Sequence, residues 1–174
     1  MEKSVEKQEG TRNHVMISYQ WDNQDVLSEV RKRLQASRYR VWMDLEQMGG
    51  STLEAMAKAV EDSSVVLICL SQKYKESPNC RSEAEYAYQL RKDVVPLMMQ
   101  HKYKADGWLG MLLGTKLWFD FRNKQGIEES MAKLVKELGR RGKDGDLADG
   151  TAVPAIRPTA ADAITSEPVA AVSG

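Results

Sequence analysis

The sequence has few of the residues that build metal sites and disulfide frameworks. Its 174 residues include two cysteines, Cys69 and Cys80, which form no CxxC pair, and two histidines, His14 and His101. These are too few soft ligands for a structural zinc site and too few thiols for a disulfide framework of the secreted type. We therefore expect no metal centre and no disulfide-dependent fold.

The chain also lacks an excess of charge and a long apolar run. Lys and Arg number 25, and so do Asp and Glu, so the net charge is zero. Proteins that bind nucleic acid by neutralising phosphates carry a basic excess, so no nucleic-acid partner is expected. The longest apolar run, residues 65–70, is too short to span a bilayer, and the charged first residues do not resemble a signal peptide. These features predict a cytoplasmic protein without membrane contact.

Two common phosphate-binding motifs are absent as well. No G-x-G-x-x-G follows the first predicted strand, and no G-x-x-x-x-G-K-[ST] occurs anywhere in the sequence. The first absence argues against a Rossmann dinucleotide site and the second against a P-loop nucleotide hydrolase. A receiver domain would need acidic residues at the end of the first strand, where Ser18, Tyr19 and Gln20 stand.

Composition divides the chain into a domain and two flanks. Residues 1–13 are almost entirely polar, and residues 140–174 are rich in Ala, Gly, Pro, Asp, Ser and Thr without a sustained period. Neither segment can bury enough apolar surface to order itself, so we predict a disordered N-terminal segment and a disordered low-complexity tail. The intervening residues 14–139 have the length of one domain.

Within residues 14–139, short apolar runs alternate with amphipathic segments. Alternation of strands with helices indicates right-handed crossovers and a parallel sheet covered on both faces. The fold class predicted is therefore α/β, a three-layer, flavodoxin-like arrangement. Strands are predicted over residues 14–19, 40–44, 65–70, 93–99 and 117–121, helices over residues 26–34, 53–60, 77–91 and 127–138, and irregular structure over residues 100–116.

Several residues predict how these elements begin or where they lie. Ser51 and Glu54 have the spacing of a capping box before the second helix. Pro96 indicates an edge strand or a strand end, because proline cannot donate to a neighbouring strand. Trp42 and Trp118 lie within predicted strands and are expected in the core. The pair Ser77-Pro78 is typical of a helix start, with serine as N-cap.

Two glutamates on the third predicted helix differ in their surroundings. Glu85 lies four residues after Arg81 on a polar stripe, which indicates a solvated ion pair. Glu83 shares a stripe with Cys80 and Ala87, where a carboxylate is costly unless it meets a partner or a cleft. From helix position alone, an acid stabilised by the helix N-terminus remains the more favoured interpretation of Glu83.

Three loop features have both a structural and a functional interpretation. Trp21 follows the first strand and would either stack on a ligand ring or cover the core. Asp44 ends the second strand and would at least hydrogen-bond the following loop. The pair Gly49-Gly50 permits positive φ, which suits either a turn or a docking loop.

Five segments of the chain share the pattern of a known family. In order they are HVMISYQWD, VWMDLEQMGGST, VVLICLSQKYKESPNC, the Ser77-x-x-Cys80-x-x-Glu83 spacing, and LWFDF. They resemble, respectively, the first signature box, the BB loop, the third strand with its following loop, the opening of the third helix and the C-terminal aromatic box of the Toll/interleukin-1 receptor (TIR) domain. The resemblance covers residues 14–138.

The resemblance implies a strand order of 2-1-3-4-5 and two activities. Many members associate with copies of themselves through the BB loop, and a subset cleaves the bond between nicotinamide and ribose in NAD⁺ with the glutamate that Glu83 matches. We therefore expect an NAD⁺ hydrolase that needs no cofactor and acts in innate-immune or cell-death signalling through self-association. The alternative is a non-enzymatic adaptor. The implied substrate-binding residues are Tyr19, Gln20, Trp21, Asp44 and Cys80, and the implied assembly residues are Glu46, Gln47, Met48, Gly49 and Gly50.

The chain departs from the family pattern at two places. Gln20 and Trp21 stand where catalytic animal members often carry basic residues, and Gln47 to Gly50 lack the Arg-Asp-x-x-Pro-Gly of many receptors and adaptors. Both departures favour an invertebrate or microbial type of enzyme over a vertebrate receptor tail.

Overall fold

A five-stranded sheet organises the chain. The computed structural model describes residues 14–45 and 52–143. All neighbouring strands in the sheet pair in parallel, in the order β2-β1-β3-β4-β5, which confirms the predicted α/β class and strand order. The strands are β1 (His14–Ser18), β2 (Val41–Met43), β3 (Ser63–Leu70), β4 (Asp93–Met98) and β5 (Phe119–Asp120).

Helices cover both faces of this sheet. In the described ranges, no helix is long and apolar enough to cross a membrane. Short 3₁₀ turns at Trp21–Asn23 and Lys124–Gly126 precede the first and last helices. The helices are α1 (Gln24–Ala36), α2 (Leu53–Glu61), α3 (Gln72–Glu76), α4 (Pro78–Gln89), α5 (Gly107–Leu113) and α6 (Ile127–Leu138).

Strand β3 explains the three layers. Its apolar residues alternate between two separate hydrophobic clusters, with Leu67 in one and Ile68 in the other. The first cluster packs under α1 and α6, and the second under α2, α4 and α5. Because both faces of the strand are covered, the sequence is continuously apolar instead of alternating.

Two helices were not predicted. Helix α5 lies within residues 100–116, which were expected to be irregular, and buries Leu109 and Leu113. Helix α3 follows β3 directly, and the Ser71 hydroxyl accepts a hydrogen bond from the Tyr74 amide at 3.0 Å to start it. Both helices have fewer than eight residues, so neither contains enough turns to show a hydrophobic period in sequence.

The last strand is shorter than predicted. Its length leaves Trp118 outside the sheet and explains how Pro96 can lie in an interior strand. Trp118 lies before β5 and is 45% exposed, so its expected place in the core is wrong. Arg122 covers part of its ring instead. Pro96 lies in β4, between β3 and β5, and not on an edge. The Met98 carbonyl oxygen accepts a hydrogen bond from the Phe121 amide, on the β5 side. The backbone nitrogen of Pro96, two residues earlier, faces the same side, at a level that β5 does not reach, so no strand needs a donor there.

Helix starts follow the sequence signals at one of the two predicted positions. The Ser77 hydroxyl accepts from the Cys80 amide, and Pro78 occupies the first turn of α4, as predicted. The N-cap of α2 is Thr52, whose hydroxyl accepts from the Ala55 amide at 3.1 Å. Glu54 is therefore the second residue of α2 and not the third, so the predicted capping box with Ser51 is wrong; Ser51 itself lies outside the described residues.

The packed part of the chain extends past Gly139 into the segment that composition had assigned to the tail. The Arg40 amide donates to the Gly142 carbonyl at 2.8 Å, and Tyr39 pairs with Lys143 in an isolated bridge. Gly142 has a φ of +83°, and a Cβ there would lie 2.7 Å from Val15 Cγ2. The expected disorder of residues 1–13 and of the chain from residue 144 falls outside the described residues.

We expect Gly142→Ala to destabilise the domain, because the new methyl group meets β1 and the left-handed φ is strained for alanine. A loss of roughly 1–3 kcal/mol in the free energy of unfolding is expected from urea titration. Gly126→Ala is the matched control, since a Cβ there meets nothing within 4 Å and φ is −97°. Equal stabilities of the two variants would show that residues 140–143 do not belong to the packed domain.

Candidate functional site

Glu83 is the acidic side chain that the fold buries. Helix α4 begins at Pro78 and turns Cys80, Glu83 and Ala87 toward the sheet, while Glu85 faces solvent. Glu83 is 9% exposed, and every other Asp or Glu in residues 14–45 and 52–143 is more exposed. Because α4 passes the carboxyl end of β1, Glu83 reaches the edge where parallel sheets bind ligands.

A chain of buried hydroxyl groups holds one oxygen of Glu83. Ser18, the last residue of β1, donates from Oγ to Glu83 Oε1 at 2.7 Å. The same Oγ lies 2.7 Å from the hydroxyl of Tyr74, on α3. The Tyr74 hydroxyl also lies 3.4 Å from the Cys80 carbonyl oxygen. Ser18 and Tyr74 are both fully buried, so these hydrogen bonds form away from solvent.

The site favours the neutral form of the carboxyl more than water does. Burial, and after it the negative charge of Asp44, raise the pKa of Glu83 to about 7, although the Ser18 hydrogen bond opposes both. In the part of the chain that the structure describes, no lysine or arginine pairs with Glu83. Glu83 is thus a buried carboxyl group with a pKa of about 7, and in the described residues no cationic side chain neutralises it.

Glu85 behaves as the sequence predicted. Its carboxylate pairs with Arg81 at 2.6 Å, and both side chains are about half exposed. The ring of Trp108 lies under the same guanidinium, 5.3 Å away. An exposed ion pair one turn apart contributes little to stability and leaves no unpaired charge in a cleft. The geometry therefore separates the two glutamates as the helical stripes do.

The predicted substrate-binding residues come together around Glu83. Two shallow depressions of about 70 and 200 Å³ meet at Glu83 and Met56. Met56, on α2, was not among the candidates, because its apolar spacing indicates only a core position. The smaller depression contains all the predicted side chains, namely Tyr19, Gln20, Trp21, Asp44 and Cys80. The larger one is apolar and is lined by Leu53, Met56, Ala57, Val60, Ser82 and Tyr86.

Tyr19 and Trp21 form a wall of the smaller depression. The Tyr19 hydroxyl donates to the Asp44 carbonyl oxygen, which ties the end of β1 to the end of β2. The Trp21 ring meets the Tyr19 ring edge-on, with centroids 5.6 Å apart, and packs against the core. Of the two interpretations of Trp21, the structure shows the covering of the core.

Cys80 supports the site without being reactive. Its thiol donates to the Tyr19 carbonyl oxygen at 3.4 Å, and burial raises its pKa to about 12. A thiol that stays protonated at neutral pH is a poor nucleophile. Cys80 therefore connects α4 to the residue after β1.

The structure does not describe the predicted assembly residues. Glu46, Gln47, Met48, Gly49 and Gly50, the predicted assembly residues, lie outside the described residues. In residues 14–45 and 52–143, no group of three or more His, Cys, Asp or Glu side chains could hold a metal ion. In the described residues, the chemistry available at this site is therefore that of the buried Glu83 carboxyl group with two buried hydroxyls, a second carboxyl group on Asp44 and an apolar wall.

Comparison with known proteins identifies a family model and several solved structures. The family model that matches residues 15–135 describes the TIR domain. The TIR domain of the Toll-related receptor TRR-2 from Hydra magnipapillata has a TM-score of 0.57 at 14% identity, over 72% of this chain and 98% of that chain. The TIR domains of the activated Roq1 resistosome, which recognises the pathogen effector XopQ, have a TM-score of 0.52 at 16% identity, over 72% and 99%.

A third solved structure with this fold is an enzyme. The CMP N-glycosidase BcmB of Clostridium botulinum has a TM-score of 0.53 at 13% identity, over 72% of this chain and 99% of that chain. At such identities the likeness is one of fold. No curated protein matches the chain.

The stability of the domain should depend on the charge of Glu83. Its pKa rises from an ordinary 4.5 to about 7 in the fold, so the folded state holds a proton that the unfolded state loses between these values. The free energy of unfolding of the wild type should fall by on the order of 3 kcal/mol as the pH rises from 4.5 to 7. Glu83→Gln has no carboxyl group to titrate at this position, so this decrease should be absent from it. Urea unfolding of both proteins between pH 4.5 and 8 measures the difference.

Glu85→Gln is the control, and it should follow the wild-type pH profile because Glu85 is exposed. A stability difference between wild type and Glu83→Gln that is the same at pH 5 and pH 8 would contradict the raised pKa.

Proposed function

Because this chain belongs to the TIR domain family, we propose that it cleaves NAD⁺ to nicotinamide and ADP-ribose or a cyclic isomer, in innate-immune or cell-death signalling. The observation that supports this most is Glu83, a buried carboxyl group at the carboxyl edge of the sheet that pairs with no lysine or arginine in residues 14–45 and 52–143. Burying an unpaired anion is costly, so a cationic group of the substrate is the partner that would offset the cost.

The reaction requires little beyond such an anion. Nicotinamide in NAD⁺ already carries a positive charge, so it leaves as a neutral molecule when the bond between C1′ and nitrogen breaks with both electrons. No general acid is needed, unlike in hydrolysis of ordinary glycosides. Positive charge then develops on the ribose, where a carboxylate stabilises it. Water adds at C1′ and releases one proton, which gives ADP-ribose.

The surroundings of Glu83 suit this role. Ser18 holds Oε1, and in the described part of the chain no hydrogen bond occupies Oε2, which is then available to a ribose hydroxyl. A poorly solvated site strengthens the attraction between the carboxylate and the developing cation. With a pKa of about 7, a large share of the carboxyl groups is ionised at neutral pH, and a cationic substrate would increase that share.

The adjacent residues complete the proposed substrate site. The apolar wall of Met56, Val60 and Tyr86 offers a surface for the nicotinamide ring on one side of Glu83. Gln20 and Asp44 offer polar groups on the other side, where they could bind the ribose hydroxyls. BcmB, a CMP N-glycosidase with this fold, supports the compatibility of the fold with cleavage of an N-glycosidic bond.

Turnover of NAD⁺ by the purified protein tests the proposal. Glu83→Gln should lower the rate by at least about 100-fold, because it removes the charge that stabilises the transition state. Glu85→Gln, the matched glutamate on the same helix, should retain wild-type turnover within about twofold. Loss of activity in Glu85→Gln alone would assign the reaction to Glu85 and contradict the role of Glu83. Absence of turnover in every protein, with self-association retained, would favour the alternative, a non-enzymatic adaptor that binds other TIR domains.

We also propose that activity depends on self-association. The TIR domains of the activated Roq1 resistosome share this fold. The net charge of this chain is zero, so copies of it do not repel one another through net charge. NAD⁺ turnover per molecule should therefore rise with protein concentration, in parallel with the mass measured by light scattering. Turnover per molecule that stays constant while the mass increases would contradict this dependence.

A further inference from the structure

Tyr74 has a hydroxyl group that the core does not require. We propose that Tyr74 is a positioning residue that acts through Ser18 to keep Glu83 ionised and directed toward the substrate. The inference rests on the proposed function in taking Glu83 as the reacting group. It assigns a role in the site to α3, the helix that joins β3 to α4.

The position of the phenol is determined by the fold. Tyr74 is completely buried in the cluster that contains Met16, Ile68 and Leu109. The Ser71 hydroxyl caps the Tyr74 amide, and the Trp108 indole donates to the Lys75 carbonyl oxygen at 3.2 Å. With both ends of α3 held in this way, the Tyr74 hydroxyl has little freedom to leave Ser18, 2.7 Å away.

The hydrogen bonds of Tyr74 and Ser18 favour the carboxylate form of Glu83, against the effect of burial. When Glu83 is ionised, Tyr74 donates to Ser18 and Ser18 donates to Glu83, and both hydrogen bonds measure 2.7 Å. When Glu83 is protonated on Oε2, Ser18 donates to a neutral carbonyl oxygen instead; when it is protonated on Oε1, the chain reverses and Tyr74 donates to the Cys80 carbonyl oxygen at 3.4 Å. Ser18 binds a carboxylate more strongly than either neutral form, and a hydroxyl that accepts from Tyr74 is a better donor, so the chain favours the ionised carboxyl.

The other titratable groups near Glu83 do not provide this effect. Tyr19, Cys69 and Cys80 have their pKa values raised by burial and stay neutral around pH 7. Asp44 acts in the opposite direction, because its charge disfavours a second anion. The Ser18 hydroxyl, directed by Tyr74, is thus the group that lowers the pKa of Glu83.

A purely structural role for Tyr74 makes a different prediction. Phenylalanine fills nearly the same volume, so a core residue would tolerate Tyr74→Phe with a change in stability alone. A positioning residue that acts through Ser18 should instead move the titration of Glu83, and should do so only while Ser18 is present. A double-mutant cycle between the two positions distinguishes these roles.

The experiment is the titration of Glu83 by carbon-13 NMR, with the side-chain carboxyl labelled and without NAD⁺. Ser18→Ala should raise the midpoint by about one pH unit, and Tyr74→Phe by a few tenths of a unit. The double variant should equal Ser18→Ala. Tyr39→Phe is the matched control, because it also removes a buried, hydrogen-bonded phenol but lies in the opposite cluster. It should leave the midpoint unchanged.

A wild-type measurement covers the case in which Tyr74→Phe fails to fold. The carbon-13 resonance of the Tyr74 phenolic carbon should change with the same midpoint as Glu83, because Ser18 draws more strongly on the Tyr74 hydroxyl when it donates to a carboxylate than when Glu83 is neutral. An unchanged midpoint in Tyr74→Phe, a full additional shift in the double variant, or a Tyr74 resonance that does not follow Glu83 would overturn the proposal. If these results hold but NAD⁺ is not consumed, the proposed function fails and the coupling of Tyr74 to Glu83 stands.

Discussion

The hydrogen bond between Ser18 and Glu83 is the interaction on which the site depends. It joins the end of β1 to the middle of α4 inside a region that excludes water, at 2.7 Å. A carboxyl group buried without a cation needs such a donor to remain ionised in part of the population. Helix α4 begins at Pro78 after the Ser77 cap, and the buried Cys80 thiol ties it to the Tyr19 carbonyl oxygen; both contacts hold Glu83 within reach of that donor.

The strand order explains why this bond can form. Strand β1 lies between β2 and β3, so its carboxyl end is flanked by the segments that leave both neighbours. Asp44 arrives from β2 and is tied to β1 through the hydroxyl of Tyr19. The chain leaving β3 enters α3 and then α4, which bring Tyr74 and Glu83. A crevice at a sheet edge thus gathers residues that are 65 positions apart, from Ser18 to Glu83.

Much of this could be predicted from patterns along the chain. Continuous apolar residues in β3 indicate a strand covered on both faces, and the helical stripes separate Glu83 from Glu85. The resemblance to the TIR family predicted the substrate-binding residues around Glu83. Helices α3 and α5 could not be predicted, because they are shorter than two full periods. Trp118 was misplaced because a strand of two residues at the sheet edge does not extend to its position.

The sequence by itself determined the secondary-structure class, the buried face of α4 and the identity of the acid on it, because these depend on residue spacing within one element. Only the tertiary structure decided what that acid meets. Whether Glu83 faces a cation, a hydroxyl or solvent depends on contacts with β1 and α3, which no local pattern encodes. The same holds for Tyr74 and Met56. The spacing of Met56 marks it only as a core residue, and Tyr74 lies on a helix too short to show a period. Their place beside Glu83 arises from the packing of separate elements around one strand end.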